Sequence, residues 1–170
     1  MPKKKTDKET ADFFVEQIFT GCLAEYSYYI DSAGEALIID PIYDHKVYTN
    51  LATERGAKIK YIFETHFHAD FVSGHVDLAK ETGAEIIFGP KSKANFQFHL
   101  AKDCEVFKLG SAHFEILHTP GHTPESSCLV LKDANGKPHS VYTGDTLFLN
   151  EVGRPDLAAN EELKPEDMAS

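Results

Sequence analysis

The sequence predicts a mixed α/β (α+β) fold in one domain. Short apolar, strand-like segments alternate with segments of helical spacing in the first half, whereas the second half is strand-rich from about residue 105. The chain has 170 residues, about the size of one domain, and its 42% hydrophobic and 26% charged residues are typical of globular proteins. Global disorder and collagen-like repeats are therefore excluded.

The elements of the first half follow from apolar spacing and from the residues that interrupt it. Val47, Leu51 and Ala52 recur at helical spacing and predict a helix over residues 43–55, and a second helix is expected over residues 72–82. A glycine follows each helix and is placed to end it. Strand-like apolar runs lie before, between and after these helices, at residues 13–18, 26–30, 36–39, 58–63 and 85–88.

The second half is predicted to consist mainly of strands. Residues 91–102 are polar and compatible with a helix, and residues 133–136 have the composition of a hairpin turn. Apolar and β-branched residues then predict strands at residues 105–109, 113–117, 127–132 and 140–143.

The two ends of the chain differ in composition from its middle. Residues 1–10 are expected to be a flexible basic tail, and residues 11–158 to form the folded domain. Residues 159–170 are expected to be a polar C-terminal segment at which the domain is truncated, because large apolar residues become rare there.

Charge, apolar runs and cysteine content restrict the function classes. The net charge of −10 gives a surface that repels phosphate backbones, so nucleic acid is not an expected partner. No apolar run approaches the roughly 20 residues that cross a bilayer, so no membrane association is expected. Cys22, Cys104 and Cys128 are odd in number and lack a C-x-x-C spacing, which indicates a reducing compartment and predicts a cytoplasmic protein. Each adjoins an apolar run, where cysteine is usually a small buried hydrophobe, so none is expected to be catalytic.

Candidate metal ligands follow three predicted strands. His66, His68 and Asp70 alternate with apolar residues, and in an extended segment this spacing puts all three on one face. His122 and Asp145 follow two later strands, each directly after a glycine that allows a tight turn. Imidazoles and carboxylates at the ends of separate strands can converge on one sheet edge, so the three loops predict one metal site.

The remaining histidines have weaker patterns. His118 lies four residues before His122, but the turn between them leaves its orientation open. The other five lack ligand spacing, and no role in the site is expected for His45, His75, His99, His113 and His139.

These motifs resemble those of the metallo-β-lactamase superfamily. Its H-x-H-x-D motif is matched by His66, His68 and Asp70, and its later ligands are matched by His122 and Asp145. The resemblance spans about residues 11–158. It implies an αββα sandwich, of which this chain would lack part of the C-terminal half.

Within that superfamily the sequence is most similar to persulfide dioxygenases, especially those fused to rhodanese domains. The matching segments are ETHFHAD at residues 64–70, TPGHTP at 119–124 and GRPDL at 153–157. This resemblance implies one Fe(II) per chain, held by His66, His122 and Asp145, and oxidation of a glutathione-type persulfide by O2 to sulfite and a thiol. No rhodanese segment is recognisable in the sequence, so a rhodanese-type sulfurtransferase is expected as a separate partner.

Other residues are expected to support this site. The family has a buried aspartate at a position comparable to Asp40, and His68 and Asp70 would orient the ligands or bound water rather than bind iron. Arg154 is expected either to anchor a substrate carboxylate through bidentate hydrogen bonds or to form a surface ion pair.

Two alternative functions stay open. A zinc-dependent thioester hydrolase like glyoxalase II would use the same loops, although Phe71 stands where such an enzyme has a histidine for a second metal ion. The second alternative is an incomplete or non-catalytic metal-binding module, which would close its core with further sequence or as a homodimer.

Overall fold

The computed structural model describes residues 13–23 and 25–154, and the predicted tail at residues 1–10 and segment at 159–170 lie outside these ranges. None of the helices in the described ranges is long and apolar enough to span a bilayer. The helices are α1 (Lys46–Arg55) and α2 (His75–Thr82). The strands are β1 (Phe14–Thr20), β2 (Glu25–Ser32), β3 (Glu35–Ile39), β4 (Lys58–Glu64), β5 (Glu85–Phe88), β6 (His99–Leu100), β7 (Val106–Leu109), β8 (Ala112–His118), β9 (Ser127–Lys132), β10 (Pro138–Tyr142), β11 (Leu147–Phe148) and β12 (Glu151–Val152).

The strands form two large sheets and a short hairpin. The first sheet has the order β1-β2-β3-β4-β5-β6, the second has the order β10-β9-β8-β7, and β11 pairs with β12. Strands β1 to β3 are antiparallel, whereas β3 to β6 are parallel, with Ile39 paired to Phe63 across β3 and β4. Helices α1 and α2 make the connections that parallel strands require. The predicted α/β class is confirmed.

Two buried clusters hold these layers together. The first joins the two sheets, and its members include Leu37 and Phe63 from one sheet and Phe114 and Leu129 from the other. Strand β8 contributes alternate residues to it, as expected of a strand with one buried face. The second cluster packs α1 and α2 on the opposite face of the first sheet. Strand β3 is therefore covered on both faces, which explains its almost continuous burial.

Several predicted elements differ from those observed. Helix α1 begins at Lys46 rather than at residue 43, and its buried residues are Tyr48 and Ala52, while Val47 is exposed. The Tyr48 hydroxyl donates to the Ser27 Oγ at 2.6 Å and accepts from the Ile42 N–H. Because both hydrogen-bonding functions of its hydroxyl are satisfied, Tyr48 is buried without an unpaired polar group.

Residues 91–102, whose polar composition is compatible with a helix, do not form one. This segment is irregular apart from β6, and Phe96 and Phe98 both pack near Phe88, with ring centroids 6.1 and 5.4 Å away. Two aromatic residues spaced by two fit an extended chain rather than a helix, whose neighbours are spaced by three or four.

The expectation that all three cysteines are buried is also wrong. Cys128 is buried on β9, but Cys22 and Cys104 are exposed. Both exposed cysteines lie in turns beside strands rather than within them, so adjacency to an apolar run did not place them in the core.

The cluster between the sheets generates a prediction about stability. Phe114 is fully buried, stacks on Phe107 at 5.0 Å and meets Tyr61 edge-on, so Phe114→Ala is expected to lower the free energy of unfolding by about 3–5 kcal/mol. Urea unfolding measures this loss. Val106→Ala, on the same sheet but half exposed, should change it by less than about 0.5 kcal/mol, and equal effects of the two changes would contradict this account of the core.

Candidate metal centre

The chain brings its candidate ligands together at one edge of the two sheets. Thr65 and His66 follow the carboxyl end of the parallel strand β4, beside Asp40 at the end of β3. His122 lies in the loop after β8, and Asp145 lies in the 3₁₀ turn Gly144–Thr146 after β10. Ligand sites in sheets of this kind form where the carboxyl ends of strands meet loops.

His66, His122 and Asp145 form a compact cluster of ligand atoms. Each offers one nitrogen or oxygen, and these atoms lie within 4.8 Å of one another. The His122 Nε2 is 3.6 Å from the Asp145 Oδ2, and the two imidazole rings are perpendicular with centroids 4.9 Å apart. His66 is buried and the other two are partly exposed, so the cluster opens to solvent on one side. A cavity of about 330 Å³ lies there, lined by His66, Phe67, Ala69, Asp70, His122, Thr123 and Asp145.

Hydrogen bonds tie the His66 segment to the His122 loop. The Ser127 N–H donates to the Thr65 carbonyl at 2.9 Å, and the Phe67 N–H donates to the Glu125 Oε1 at 3.2 Å. The position of His118, left open by the sequence, is now defined: its Nε2 donates to the Pro124 carbonyl at 2.9 Å. His118 therefore closes the loop around His122 and is not in the ligand cluster.

Gly153 allows the hairpin after Asp145 to pack against the site. A Cβ on this residue would collide with the Asp145 carbonyl oxygen and would lie 2.9 Å from the His122 Cβ. Only glycine permits this approach. The segment after the hairpin therefore packs against His122 and Asp145, two of the three candidate ligands.

His68 belongs to a second group of candidate ligand atoms, although its ring centroid is 4.2 Å from that of His66. Its Nε2 lies 3.1 Å from the Asp40 Oδ1 and 3.4 Å from the Glu64 Oε2, in a buried group that the sequence analysis did not foresee. The expectation that His66, His68 and Asp70 share one face is wrong, because the chain leaves the extended conformation after Glu64. Asp70 is exposed and lines the cavity beside His66.

Glu64 and His75 are the residues that sequence reasoning missed. The Glu64 Oε1 accepts from the Ser73 hydroxyl at 2.6 Å and lies 3.3 Å from the His75 Nδ1. The available signal was a glutamate at the end of an apolar strand, directly before the H-x-H-x-D motif. A carboxylate buried at the end of a strand requires hydrogen-bond donors or an opposite charge, and the histidines that follow Glu64 in the sequence are candidates for both.

Charges in the buried group shift several pKa values. Burial opposes the charge on His68, but Asp40, reinforced by Glu64, outweighs it and raises the pKa of His68 to about 9. Although burial alone would raise it, His68 and the Thr65 N–H hold the pKa of Asp40 below its ordinary value. Burial raises the pKa of Glu64. Burial and the nearby charge of His68 lower the pKa of His66 to about 4, so His66 is neutral at neutral pH.

Arg154 lies outside the cavity that His66 lines. It is exposed and borders a neighbouring groove formed with Leu147, Phe148, Asn150, Glu151 and Val152. It follows Gly153, which packs directly on Asp145. Arg154 therefore stands beside the site without lining its inner wall.

The residues of the cluster fit a metal ion in their chemistry. Two imidazoles and one carboxylate are the donor set of mononuclear non-haem Fe(II) sites with open positions, and three such ligands with one open position also suit catalytic Zn²⁺. Neutral His66 has a lone pair available without losing a proton. His66, His122 and Asp145 are thus able to hold either ion.

The buried charge pair generates a prediction about pH. A pKa of about 9 in the folded state, against 6.5 in the unfolded state, contributes stability that is complete below about pH 6.5 and is lost as the pH rises to about 9. The free energy of unfolding of the metal-free protein should therefore fall by up to about 3 kcal/mol over this interval. Urea titrations at several pH values measure it.

The contribution of His68 can be separated from that of Glu25 by pH and by mutation. Burial and the charge of Asp40 raise the pKa of Glu25 to about 7, so its effect is complete near the lower end of the interval. His68→Gln should remove most of the decline between about pH 7 and 9. A wild-type stability that stays constant over that interval would contradict the prediction.

Solved structures and curated sequences resemble this chain over most of its described length. A metallo-beta-lactamase from Staphylococcus aureus subsp. aureus COL superimposes with a TM-score of 0.80 at 38% identity, over 85% of this chain and 46% of that one. ETHE1 from Myxococcus xanthus superimposes with a TM-score of 0.75 at 25% identity, over 85% of this chain and 63% of that one. A probable hydroxyacylglutathione hydrolase of Schizosaccharomyces pombe is 34% identical over 142 residues, covering 81% of this chain and 54% of the relative.

The family assignment rests on a match along most of the chain. A second probable hydroxyacylglutathione hydrolase of the same yeast is 31% identical, over 76% of this chain and 51% of the relative, so the chain spans about half the length of the curated relatives it matches. The model of the Metallo-beta-lactamase superfamily matches residues 20–169. Together with the αββ layers and the converging loops, this match shows that the chain belongs to the metallo-β-lactamase superfamily.

Proposed function

We propose that the chain is a mononuclear non-haem iron dioxygenase that oxidises a glutathione-type persulfide. In the balanced reaction, persulfide, O2 and water give sulfite, a thiol and two protons, and the outer sulfur is oxidised while O2 is reduced. The observation that carries the proposal is the separation of the histidines: His66 and His122 join Asp145, while His68 is paired with Asp40 and Glu64. Three ligands of this type leave one face of an octahedral ion open for two small reactants.

The pocket residues support a single ion. Phe71 follows Asp70 where a dinuclear glyoxalase II-like enzyme has a histidine, and its ring packs on His68 at 4.3 Å. Phenylalanine offers no metal ligand. Asp70 and His68 would therefore act on the site through hydrogen bonds or charge rather than as ligands of a second ion.

Each group of the chain has a definable task in this proposal. Bound iron would supply the redox chemistry that brings O2 to react with sulfur. His66, His122 and Asp145 would hold it, with His66 fixed by the bonds of its segment to the next loop. Phe67 stacks on Phe88 at 4.5 Å and gives the cavity a rigid apolar wall, which would exclude water from the sulfur of the substrate.

The proposed partners are small molecules and a separate sulfurtransferase. The persulfide and O2 would meet in the cavity at His66, and proximity would let both oxygen atoms reach one sulfur. A rhodanese-type sulfurtransferase on another chain would exchange sulfur with the same thiol. The apolar side chains of Leu147, Leu149 and Val152 are more than half exposed and would be covered in a homodimer.

A zinc-dependent thioester hydrolase is the second candidate. The observation in its favour is that two curated relatives, at 34% and 31% identity, are probable hydroxyacylglutathione hydrolases. Bound zinc would supply the Lewis acidity that activates water. In that case His66, His122 and Asp145 would hold zinc, and the chain would hydrolyse a hydroxyacylglutathione thioester instead of consuming O2.

One experiment separates these functions. We expect Fe(II)-loaded, anaerobically prepared protein to consume O2 when glutathione persulfide is added, with sulfite formed in equal amount. Hydrolysis of a hydroxyacylglutathione by zinc-loaded protein, without persulfide-dependent O2 uptake, would support the second candidate instead. Metal-loaded protein that shows neither reaction would support an incomplete or non-catalytic module.

Asp145→Ala is expected to abolish the iron site. The change removes the only anionic ligand of the cluster, so iron content and O2 uptake should both fall by at least about 100-fold. Iron analysis and an oxygen electrode measure the two losses. Asp77→Ala is the matched control, since Asp77 is exposed on α2 and, within residues 13–23 and 25–154, pairs with Lys80 away from the site. Full iron and full activity in Asp145→Ala would contradict the proposal.

Arg154→Gln is expected to impair substrate binding without loss of iron. If the guanidinium binds a glutathione carboxylate, the KM for the persulfide should rise by about 10-fold while iron content and kcat stay unchanged. Arg154→Lys keeps the charge but not the bidentate geometry and should give an intermediate KM. An unchanged KM in Arg154→Gln would remove Arg154 from the proposed substrate site.

A further inference from the structure

The Thr65 hydroxyl lies between a buried carboxylate and a candidate ligand. Its Oγ1 is 2.9 Å from the Asp40 Oδ2 and 3.0 Å from the His66 Nδ1. The backbone N–H of Thr65 also donates to the other oxygen of Asp40, at 2.7 Å. Asp40, Thr65 and His66 are each no more than 3% exposed, so water does not compete for these bonds.

The number of protons fixes the direction of both hydrogen bonds. A hydroxyl has one proton to donate, and an ionised carboxylate only accepts, so the Thr65 proton belongs to the bond with Asp40. The Thr65 oxygen is then left with lone pairs, and its contact with His66 is a hydrogen bond only if the Nδ1 carries a proton. A neutral imidazole carries one proton, so the Nε2 of His66 is left with its lone pair.

We infer that Thr65 is a positioning residue that holds His66 in the tautomer with its proton on Nδ1 and its Nε2 free for a metal ion. Histidine ligands usually donate their second N–H to a carboxylate or carbonyl group, which fixes the ring and strengthens the ligand. Here a hydroxyl stands between the ring and the carboxylate of Asp40. The inference rests on the proposed ligand role of His66, under either iron or zinc.

Packing at Gly144 restricts the Thr65 side chain. A Cβ on Gly144 would collide with the Oγ1 of Thr65 and would lie 2.7 Å from its Cβ. Gly144 is the residue directly before Asp145. The contact therefore confines the Thr65 hydroxyl to its place between Asp40 and His66, and it sets that hydroxyl beside the segment that carries the carboxylate ligand.

The tautomer of His66 is the first test. Two-bond proton–nitrogen correlation spectra of the metal-free protein at neutral pH report which ring nitrogen carries the proton. We expect the proton on Nδ1 in the wild-type chain and in Thr65→Ser, which keeps the hydroxyl. Thr65→Val keeps the branched shape but removes the hydroxyl, and the proton should move in part or entirely to Nε2.

The affinity for zinc, measured without reference to activity, is the second test. Thr65→Val should weaken zinc binding by about 10- to 100-fold, whereas Thr65→Ser should stay close to the wild-type affinity. Thr82→Val is the matched control, because the Thr82 hydroxyl bonds to the Leu78 carbonyl and the Ala84 N–H in the described part of the chain, away from the site. Circular dichroism shows whether each variant is folded.

Three outcomes would overturn the inference. A proton on Nε2 of His66 in the wild-type chain would do so even if Thr65→Val failed to fold. Equal zinc affinities of wild type and Thr65→Val, with the same tautomer, would do so as well. Equal losses in Thr65→Ser and Thr65→Val would show that packing rather than the hydroxyl matters. Because the tautomer is read without metal or substrate, absence of dioxygenase activity would count against the proposed function and leave this inference standing.

Discussion

The carboxylate of Asp40 is the constraint on which the site depends. A buried charge is tolerated only where donors or an opposite charge surround it, and Asp40 accepts from the N–H and hydroxyl of Thr65 and lies 3.1 Å from the ring of His68, which balances its charge. Because β3 and β4 are adjacent and parallel, their carboxyl ends meet, and this carboxylate joins the two ends directly. The position of His66 then follows from its bond to Thr65, and the position of the cavity follows from His66.

The sequence was sufficient to predict the class of fold and the convergence of the ligand loops. Strand-like runs, and glycines before His122 and Asp145, indicated where the chain turns, and the structure brings these two residues together with His66. The helix starts were placed too early, because spacing alone does not show that Tyr48 rather than Val47 is buried. The polar composition of residues 91–102 was compatible with a helix, but the two-residue spacing of Phe96 and Phe98 fits the extended chain that is observed.

The arrangement of His68 could not be predicted from its spacing. Two histidines separated by one residue fall on the same face only if the chain is extended, and the strand ends at Glu64. The carboxylates of Asp40 and Glu64, at the ends of β3 and β4, determine where the His68 ring lies. These carboxylates are close together because β3 and β4, which are distant in sequence, pair in parallel. The resemblance to a family names candidate ligands, but the contacts of His68 with Asp40 and Glu64 depend on the three-dimensional structure.

The distribution of charge bears on how an acidic chain can bind an anion at this cavity. The chain carries a net charge of −10, but at physiological ionic strength its field is screened beyond about 8 Å. Two neutral imidazoles and one carboxylate around a divalent cation would leave a net positive charge of one, which the carboxylate of Asp70 on the cavity wall would offset in part, and a bound cation dominates its surroundings at short range. The charge on His68 is compensated within its own buried group by Asp40. The charge of an ion held by His66, His122 and Asp145 would therefore act on a molecule in the cavity, because the buried carboxylate of Asp40 is already balanced by His68.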